Sequence, residues 1–283
     1  MKNFLSLVLY LMLGSALAQS TTEQEALGLI GGTPTNVGLS PERLAKIDAM
    51  LKTAVAENQV PGIVALIARN GKIVFHNAYG MADNASKTEM TKDAIFRIAS
   101  QTKAVTSTAV MMLWEEGKFQ LDDPISKYIP EFGEAQILDT FNEKDSTYTV
   151  KSAKDQITIR DLITHTSGLG YGVIDGDERF RKIYAKAGIT DLFTTENISI
   201  GESVKKLAKL PLHHNPGDAF TYSEGLDVLG YFLEVVSGMS FDEFLRTRLF
   251  DPLGMDDTWF YLPEEKHDRL VSVQGIKDGE WGI

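Results

Sequence analysis

The chain has 283 residues, of which 43% are hydrophobic and 24% charged, with a net charge of −11 and no cysteine. That is enough apolar material for a large core in one domain or in two closely packed lobes. The lack of cysteine excludes disulfides, thiol catalysis, cysteine-zinc sites and a cysteine-borne lipid anchor, and an acidic chain without a basic run gives nucleic acid no electrostatic footprint.

Residues 1–18 read as a signal peptide. Lys2 is the positive start, residues 4–13 are the apolar run, and Ala16-Leu17-Ala18 is the small-x-small cleavage pattern. The run is too short to span a bilayer. Cleavage near Ala18 is expected, with a periplasmic or secreted product and no stable membrane anchor afterwards. Residues 19–39 read as a loose lead-in. Ser40-Pro41-Glu42 then signals a helix start, and Leu44, Ile47, Leu51, Ala54 and Val55 make one apolar stripe to about Ala56. Residues 63–68 are a nearly continuous apolar run, as in a strand covered on both faces. Asn70-Gly71 is a two-residue hairpin signal, with a return strand over 72–78. A helix followed by an antiparallel hairpin predicts the first part of an α/β lobe, over 40–117.

Ala94-Ile95-Phe96-Arg97-Ile98-Ala99 reads as strand-like and turns into an apolar helix that begins near Ser100 and ends at Gly117. Ser100-Gln101-Thr102-Lys103 lies at that junction. Residues three apart share a helix face, so the Ser100 hydroxyl and the Lys103 amine point into one space. A serine needs a base beside it to act as a nucleophile, and an amine made neutral by partial burial can serve. The helix start adds N–H groups and a positive dipole end that favour an oxyanion. The competing reading is that Ser100 caps the helix. Ser203-Val204-Lys205-Lys206 repeats the spacing, in a polar amphipathic stretch where Ser203 reads as a helix cap and the lysines as a solvated face.

Beyond Gly117, Asp122-Asp123-Pro124 predicts a capped short helix that Pro130 breaks, followed by a mixed stretch to Gln156. Residues from Thr158 start another helix, which stops at Thr166-Ser167-Gly168. Helical patterns with loops then run to Gly254, so 118–260 is predicted to be mainly helical. Leu226, Leu229, Phe232, Leu233 and Val236 form an apolar face closed by Gly238, and Ser240-Phe241-Asp242-Glu243 reads as a capping box. The Gly-x-Ser-x-Gly elbow is absent around Ser167, because His165 stands where the first glycine would be. His165-Thr166-Ser167 resembles a triad fragment, but no catalytic carboxylate has a sequence-specific link to it. The five histidines show no metal-ligand spacing, and His213-His214 read as surface or supporting residues. Nothing calls for a metal or an organic cofactor.

Five blocks in order carry a resemblance: Phe96-Arg97-Ile98-Ala99-Ser100-Gln101-Thr102-Lys103, Leu121-Asp122-Asp123-Pro124, Leu162-Ile163-Thr164-His165-Thr166-Ser167-Gly168-Leu169, Pro216-Gly217 leading to Tyr222-Ser223, and Pro252-Leu253-Gly254-Met255. Together they resemble the serine β-lactamase-related family of class C β-lactamases, D-alanyl-D-alanine carboxypeptidases and family VIII esterases. The resemblance implies an α/β (α+β) fold of the β-lactamase/transpeptidase type, with an antiparallel-sheet lobe and a helical lobe. It also implies that Ser100 is the acylated nucleophile, that Lys103 helps to deprotonate it, and that Tyr222 is the general base and then acid. For His165-Thr166-Ser167 it implies a structural turn instead of a triad fragment. Taken alone, Tyr222 would read as a core aromatic. A nearby ammonium lowers a phenol's pKa, which suits base chemistry.

Two departures shape the expected substrate. The family's second motif reads Tyr-x-Asn, and here Glu224 stands in the asparagine's place. Glu224 is a candidate substrate-binding residue, and it tilts the expectation from β-lactams and peptides towards small or acyl esters. The family's third motif, expected on a strand well past the last block, is not evident. Lys277-Asp278-Gly279 and Trp281-Gly282 read as loop, at the start of a C-terminal part (261–283) expected to be truncated, with the sheet incomplete. Losing one oxyanion donor costs ~10²–10³ in rate, so the chain by itself is expected to be weakly active or inactive. The leading expectation is an exported serine hydrolase. The alternatives are a β-lactamase or carboxypeptidase acting on peptidoglycan peptides, and a non-catalytic module binding cell-wall peptides or acyl groups.

Overall fold

Ser40 opens the first helix as its Ser-Pro-Glu signal predicts. Its Oγ accepts the Arg43 amide at 3.2 Å, and Pro41, which has no N–H to lose, takes the first helical position. In the computed structural model, which describes residues 28–190, 194 and 197–282, the chain divides into two units. One comprises the residues up to Arg97 together with those from Tyr261 onward; the other is Ile98–Phe260. The expected signal peptide lies outside the described residues.

The first unit is built on a hairpin. Strand β1 (Ile30–Gly31) lies parallel to β3, and helix α1 (Pro41–Ala56) precedes β2 (Gly62–Arg69) and β3 (Lys72–Asp83). Asn70 and Gly71 both have positive φ, 51° and 71°, which is the turn that matches the strand twist. The short strand β4 (Thr88–Glu89) pairs with β3, giving the order β1-β3-β2 with β4 off the end of β3. Part of the segment read as a loose lead-in is therefore strand. The expectation that β2 is covered on both faces fails: Leu66 is 47% exposed, and α1 is the helix packed on the sheet within this unit. Ala94–Ala99 is not a strand either. Residues 94–98 are irregular chain with one bridge, Ile95 to Leu270, and Ala99 begins a 3-10 turn. Returning at the C-terminal side, β7 (Gly275–Lys277) and β8 (Glu280–Gly282) form a hairpin where loop was expected. Asp278-Gly279 is its turn, with φ of 53° and 86°. The Asn58 side chain donates to the Gly279 carbonyl at 2.9 Å, and the Trp281 indole donates to the Asn58 carbonyl at 3.1 Å.

The second unit holds the large core. Among the described residues its α-helices are α2 (Thr102–Glu115), α3 (Ile159–Ile163), α4 (Glu178–Ala187), α5 (Ile200–Leu207), α6 (Gly225–Ser237) and α7 (Phe241–Leu245). Helix α6 is central, with α2, α3, α5 and α7 all packing on it. The apolar face read from the sequence does this: Leu229, Phe232 and Leu233 are fully buried, and Gly238 closes the helix at φ 73°. The rings of Phe119 and Tyr128 both meet Phe232 edge-on at 5.0 Å. The mixed stretch contains an unforeseen hairpin, β5 (Gln136–Phe141) and β6 (Tyr148–Ser152), which Leu212 extends through backbone bonds to Gln136 and Leu138.

Several local readings change. Asp123 supports a single 3-10 turn over Ile125–Lys127, and Pro130 opens the next turn rather than breaking a helix. Ser199, not Ser203, caps α5, in a reciprocal box with Glu202. Ser240 stands at the N-cap of α7, but its side chain accepts no backbone amide there, and its hydroxyl donates to Asp242.

Two stability outcomes follow from this packing. Phe232→Ala removes a buried ring and both edge contacts, and should lower the unfolding free energy by ~3–5 kcal/mol in urea titrations. Asp123 accepts from the Gln120 amide, the Tyr128 hydroxyl and the Lys127 ammonium, which hold its carboxyl at about 2. A depressed carboxyl stabilises the fold above its ordinary value of 3.8 and ceases to do so as pH falls through about 2. Asp123→Asn should therefore cost ~1–3 kcal/mol at pH 7, with the difference from wild type vanishing near pH 2.

Candidate active site

Ala99 carries φ +43°, a left-handed backbone that a side chain disfavours by ~1–3 kcal/mol. It is the first residue of a 3-10 turn, Ala99–Gln101, which runs into α2. The first bond of that turn is donated by Gln101 to the Ile98 carbonyl at 3.0 Å, so the Ser100 amide lies ahead of the helical ladder. Ser100 is exposed and does not cap the helix: Gln101 occupies the cap position.

The three groups expected to converge do so, all within the second unit. The Tyr222 hydroxyl lies 2.7 Å from Ser100 Oγ and donates to it while the phenol is neutral. Lys103 Nζ sits 4.9 Å from the centre of the Tyr222 ring and donates to the Tyr171 hydroxyl at 2.9 Å. The Tyr171 ring stacks on Tyr222 with centroids 5.4 Å apart and 27° between planes. Tyr171 stands two residues past the block read as family-like, and nothing in that spacing marks it out. Only the fold brings it to Lys103.

Electrostatics separates the two phenols. At Tyr222, burial pushes the pKa up, but the Ser100 hydroxyl and the Lys103 ammonium outweigh it and bring it below the usual phenol value. At Tyr171, burial dominates and the pKa rises. Lys103 also departs from expectation. Burial works against its charge, yet the hydroxyls of Tyr171 and Tyr222 hold it above the ordinary lysine value. The prediction of an amine neutralised by burial is reversed: Lys103 is a cation, and Tyr222 is the group whose proton is loosened. Oxygen against oxygen at hydrogen-bond distance, beside a fixed cation, suits transfer of the serine proton to a phenolate.

Glu224, expected to contact substrate, is only 5% exposed. It stands at the entrance of α6, where its amide donates to the Gly170 carbonyl at 3.1 Å. In this position it offers a ligand almost no surface. Of the two readings of His213 and His214, the supporting one fits: both are half-buried and hydrogen-bonded. His213 stacks on Phe180 at 3.4 Å, and its Nε2 meets buried Asp175 at 3.1 Å. Burial pushes the Asp175 carboxyl up, but His213 and the amides of Asp177 and Tyr171 bring it below its usual range. The Tyr171 amide donates to Asp175 Oδ2 at 2.8 Å, so this pair fixes the backbone that presents the Tyr171 hydroxyl to Lys103. Among the described residues, no group of three or more His, Asp or Glu side chains is placed to hold a metal ion.

Comparison with known proteins gives a consistent picture. The family described as Beta-lactamase matches residues 47–281. Esterase EstB of Burkholderia gladioli is 34% identical over 253 residues, covering 87% of this chain and 60% of EstB. The solved structure of EstCE1, described as a hydrolase with promiscuous acyltransferase activity, is 29% identical with a TM-score of 0.71, covering 85% of this chain and 58% of that one. Unliganded simvastatin synthase (LovD) from Aspergillus terreus shares the fold at 23% identity and a TM-score of 0.70, covering 86% of this chain and 62% of that one. The chain thus spans about 60% of the length of EstB, and the fold is of the β-lactamase/transpeptidase type, partial relative to these proteins.

Tyr171→Phe keeps the stacked ring and removes the hydroxyl that holds the Lys103 cation. Phosphonylation of Ser100 should slow by ~10–100-fold, the worth of one hydrogen bond to a charged group. Because that hydroxyl raises the Lys103 pKa, the alkaline limb of the rate profile should move to lower pH.

Proposed function

The chain belongs to the beta-lactamase family, and from that premise we propose that it is a serine hydrolase working through an acyl-enzyme on Ser100, with small or acyl esters as substrates. The observation that carries this reading is the 2.7 Å contact between Tyr222 and Ser100 beside the Lys103 cation. In the forward step, ionised Tyr222 takes the Ser100 proton as Oγ attacks the ester carbonyl. The oxyanion forms at the start of α2, where the helix dipole and the Ser100 amide favour negative charge. Tyr222 then returns the proton to the leaving alkoxide. In the second half it takes a proton from water as the water oxygen bonds to the acyl carbon; collapse of that adduct breaks the bond to Oγ and releases the acid, and Tyr222 returns its proton to Ser100. Lys103 stays charged throughout and keeps the phenol acidic enough to cycle.

The ester preference rests on two supports. EstB is described as an esterase and EstCE1 as a hydrolase. The residue in the place of the amide-binding asparagine is Glu224, which is buried and displays no carboxamide. Export belongs to the same reading, supported by the basic, apolar and small-x-small order of residues 2–18.

Treating the 283-residue chain with a fluorophosphonate should give one adduct, mapped by mass spectrometry to Ser100 and absent in Ser100→Ala. Tyr222→Phe should slow labelling by ~10²–10⁴-fold. Turnover of p-nitrophenyl butyrate should exceed that of nitrocefin. Folded protein that takes no adduct would end the hydrolase reading in favour of a binding module, and preferred turnover of nitrocefin would replace esters with β-lactams.

A further inference from the structure

His165 does more than make a turn. Its φ of +57° is left-handed, and this backbone sends both its carbonyl and its ring towards the segment that carries Tyr222. The carbonyl accepts the Thr221 amide at 2.8 Å. The ring nitrogen Nδ1 lies 3.2 Å from the Ser223 amide and 3.2 Å from Ser223 Oγ. Between those two anchors, the imidazole packs against the Tyr222 ring at 4.9 Å with 41° between planes, and its other neighbour is the Phe220 ring at 5.8 Å. One residue thus holds the positions before and after Tyr222 and the side chain in between.

The chemistry fixes the protonation state. A backbone N–H can only donate, so Nδ1 must present its lone pair to Ser223. The Ser223 hydroxyl accepts the Gly225 amide at 3.2 Å, which leaves its hydrogen to point at Nδ1 as well. The imidazole is therefore neutral, with its proton on Nε2. A proton added at Nδ1 would face the Ser223 amide, which can only donate.

We propose that His165 is a positioning residue for Tyr222, a neutral acceptor that sets the phenol against Ser100 and releases it when the ring is protonated. This rests on the reading of Tyr222 as the proton partner of Ser100. The ionisable groups around it are the Lys103 ammonium on α2, Asp161 on α3, Tyr222 itself, His214, which bonds Thr221 Oγ1 at 2.9 Å, and Asp227 on α6, whose charge acts on Tyr222. Asp161 is occupied by the hydroxyls of Thr158 and Thr166. Burial and then the Lys103 charge hold the His165 pKa below the ordinary imidazole value, which keeps the ring in the gripping form at neutral pH.

His165→Asn is the decisive variant. Asparagine tolerates the left-handed backbone, its Oδ1 occupies the place of Nδ1, and it does not titrate. His165→Leu keeps bulk and loses the acceptor. At pH 8, phosphonylation of Ser100 should slow by ~10–100-fold in His165→Leu, and His165→Asn should recover at least ~10-fold of that loss. In the wild type, the rate should fall with one proton as Tyr222 is neutralised and steepen to two protons once His165 titrates. In His165→Asn it should stay at one. Imidazole ¹⁵N shifts should show an unprotonated Nδ1 at neutral pH, with the Tyr222 ring resonances moving as His165 titrates. A steepening that persists in His165→Asn, a protonated Nδ1, or a Tyr222 signal blind to that titration would overturn the inference. If the wild type takes no phosphonate, the hydrolase reading fails, and the NMR result still decides whether His165 governs Tyr222.

Discussion

Two loops far apart in the chain are joined by backbone hydrogen bonds, and the site depends on that pairing. Thr221 donates to the carbonyl of His165, Gly217 to Thr166, His213 to Gly168 and Glu224 to Gly170. This register brings a tyrosine to a serine 122 residues away. Two glycines make it possible. A Cβ on Gly168 would stand 2.4 Å from the His214 carbonyl, at φ +81°. A Cβ on Gly170 would stand 2.4 Å from the Asp175 carboxylate and 2.5 Å from the His213 ring. The loops approach as closely as they do because nothing projects between them.

The pairing also explains the division of labour among the charged and polar groups. Lys103 comes from α2, Tyr171 from one loop and Tyr222 from the other, so one cation meets two phenols. Burial keeps Tyr171 a firm, neutral partner, whereas Tyr222, bonded to Ser100, becomes the more acidic of the two. Partners further out hold these positions: Asp175 and His213 behind Tyr171, His165 and Ser223 around Tyr222. Strain at Ala99 fits the same scheme, since it lies one residue before Ser100, at the turn that leads into α2.

The hydrophobic core lies where the site is. Its buried cluster runs from Ala109 to Phe250, all inside the second unit, and α6, which begins two residues after Ser223, is its centre. Among the described residues of the first unit, the buried hydrophobic ones are Val37, Leu44 and Met90. The serine, lysine and tyrosine are thus mounted on the densely packed part of the chain, which suits groups that must hold their geometry to fractions of an ångström.

Much of this was legible from local chemistry. The Ser40-Pro41 helix start, the Asn70-Gly71 hairpin, the apolar face of α6 and its Gly238 stop each depend on neighbours a few residues away, and each is present. Asp278-Gly279 carries the same kind of signal, and the hairpin it turns is present although the stretch reads as loop. The choice between a serine that caps a helix and one that meets Tyr222 had no local answer, because both give the same few letters around Ser100. Nor did the charge of Lys103, the burial of Glu224, or the roles of Tyr171, His165 and His213. A sequence sets propensities and order along the chain, so it determined the elements with strong local signals and the family. Protonation, burial and partnership depend on which distant atoms share a space, and only the pairing of the two loops decided those.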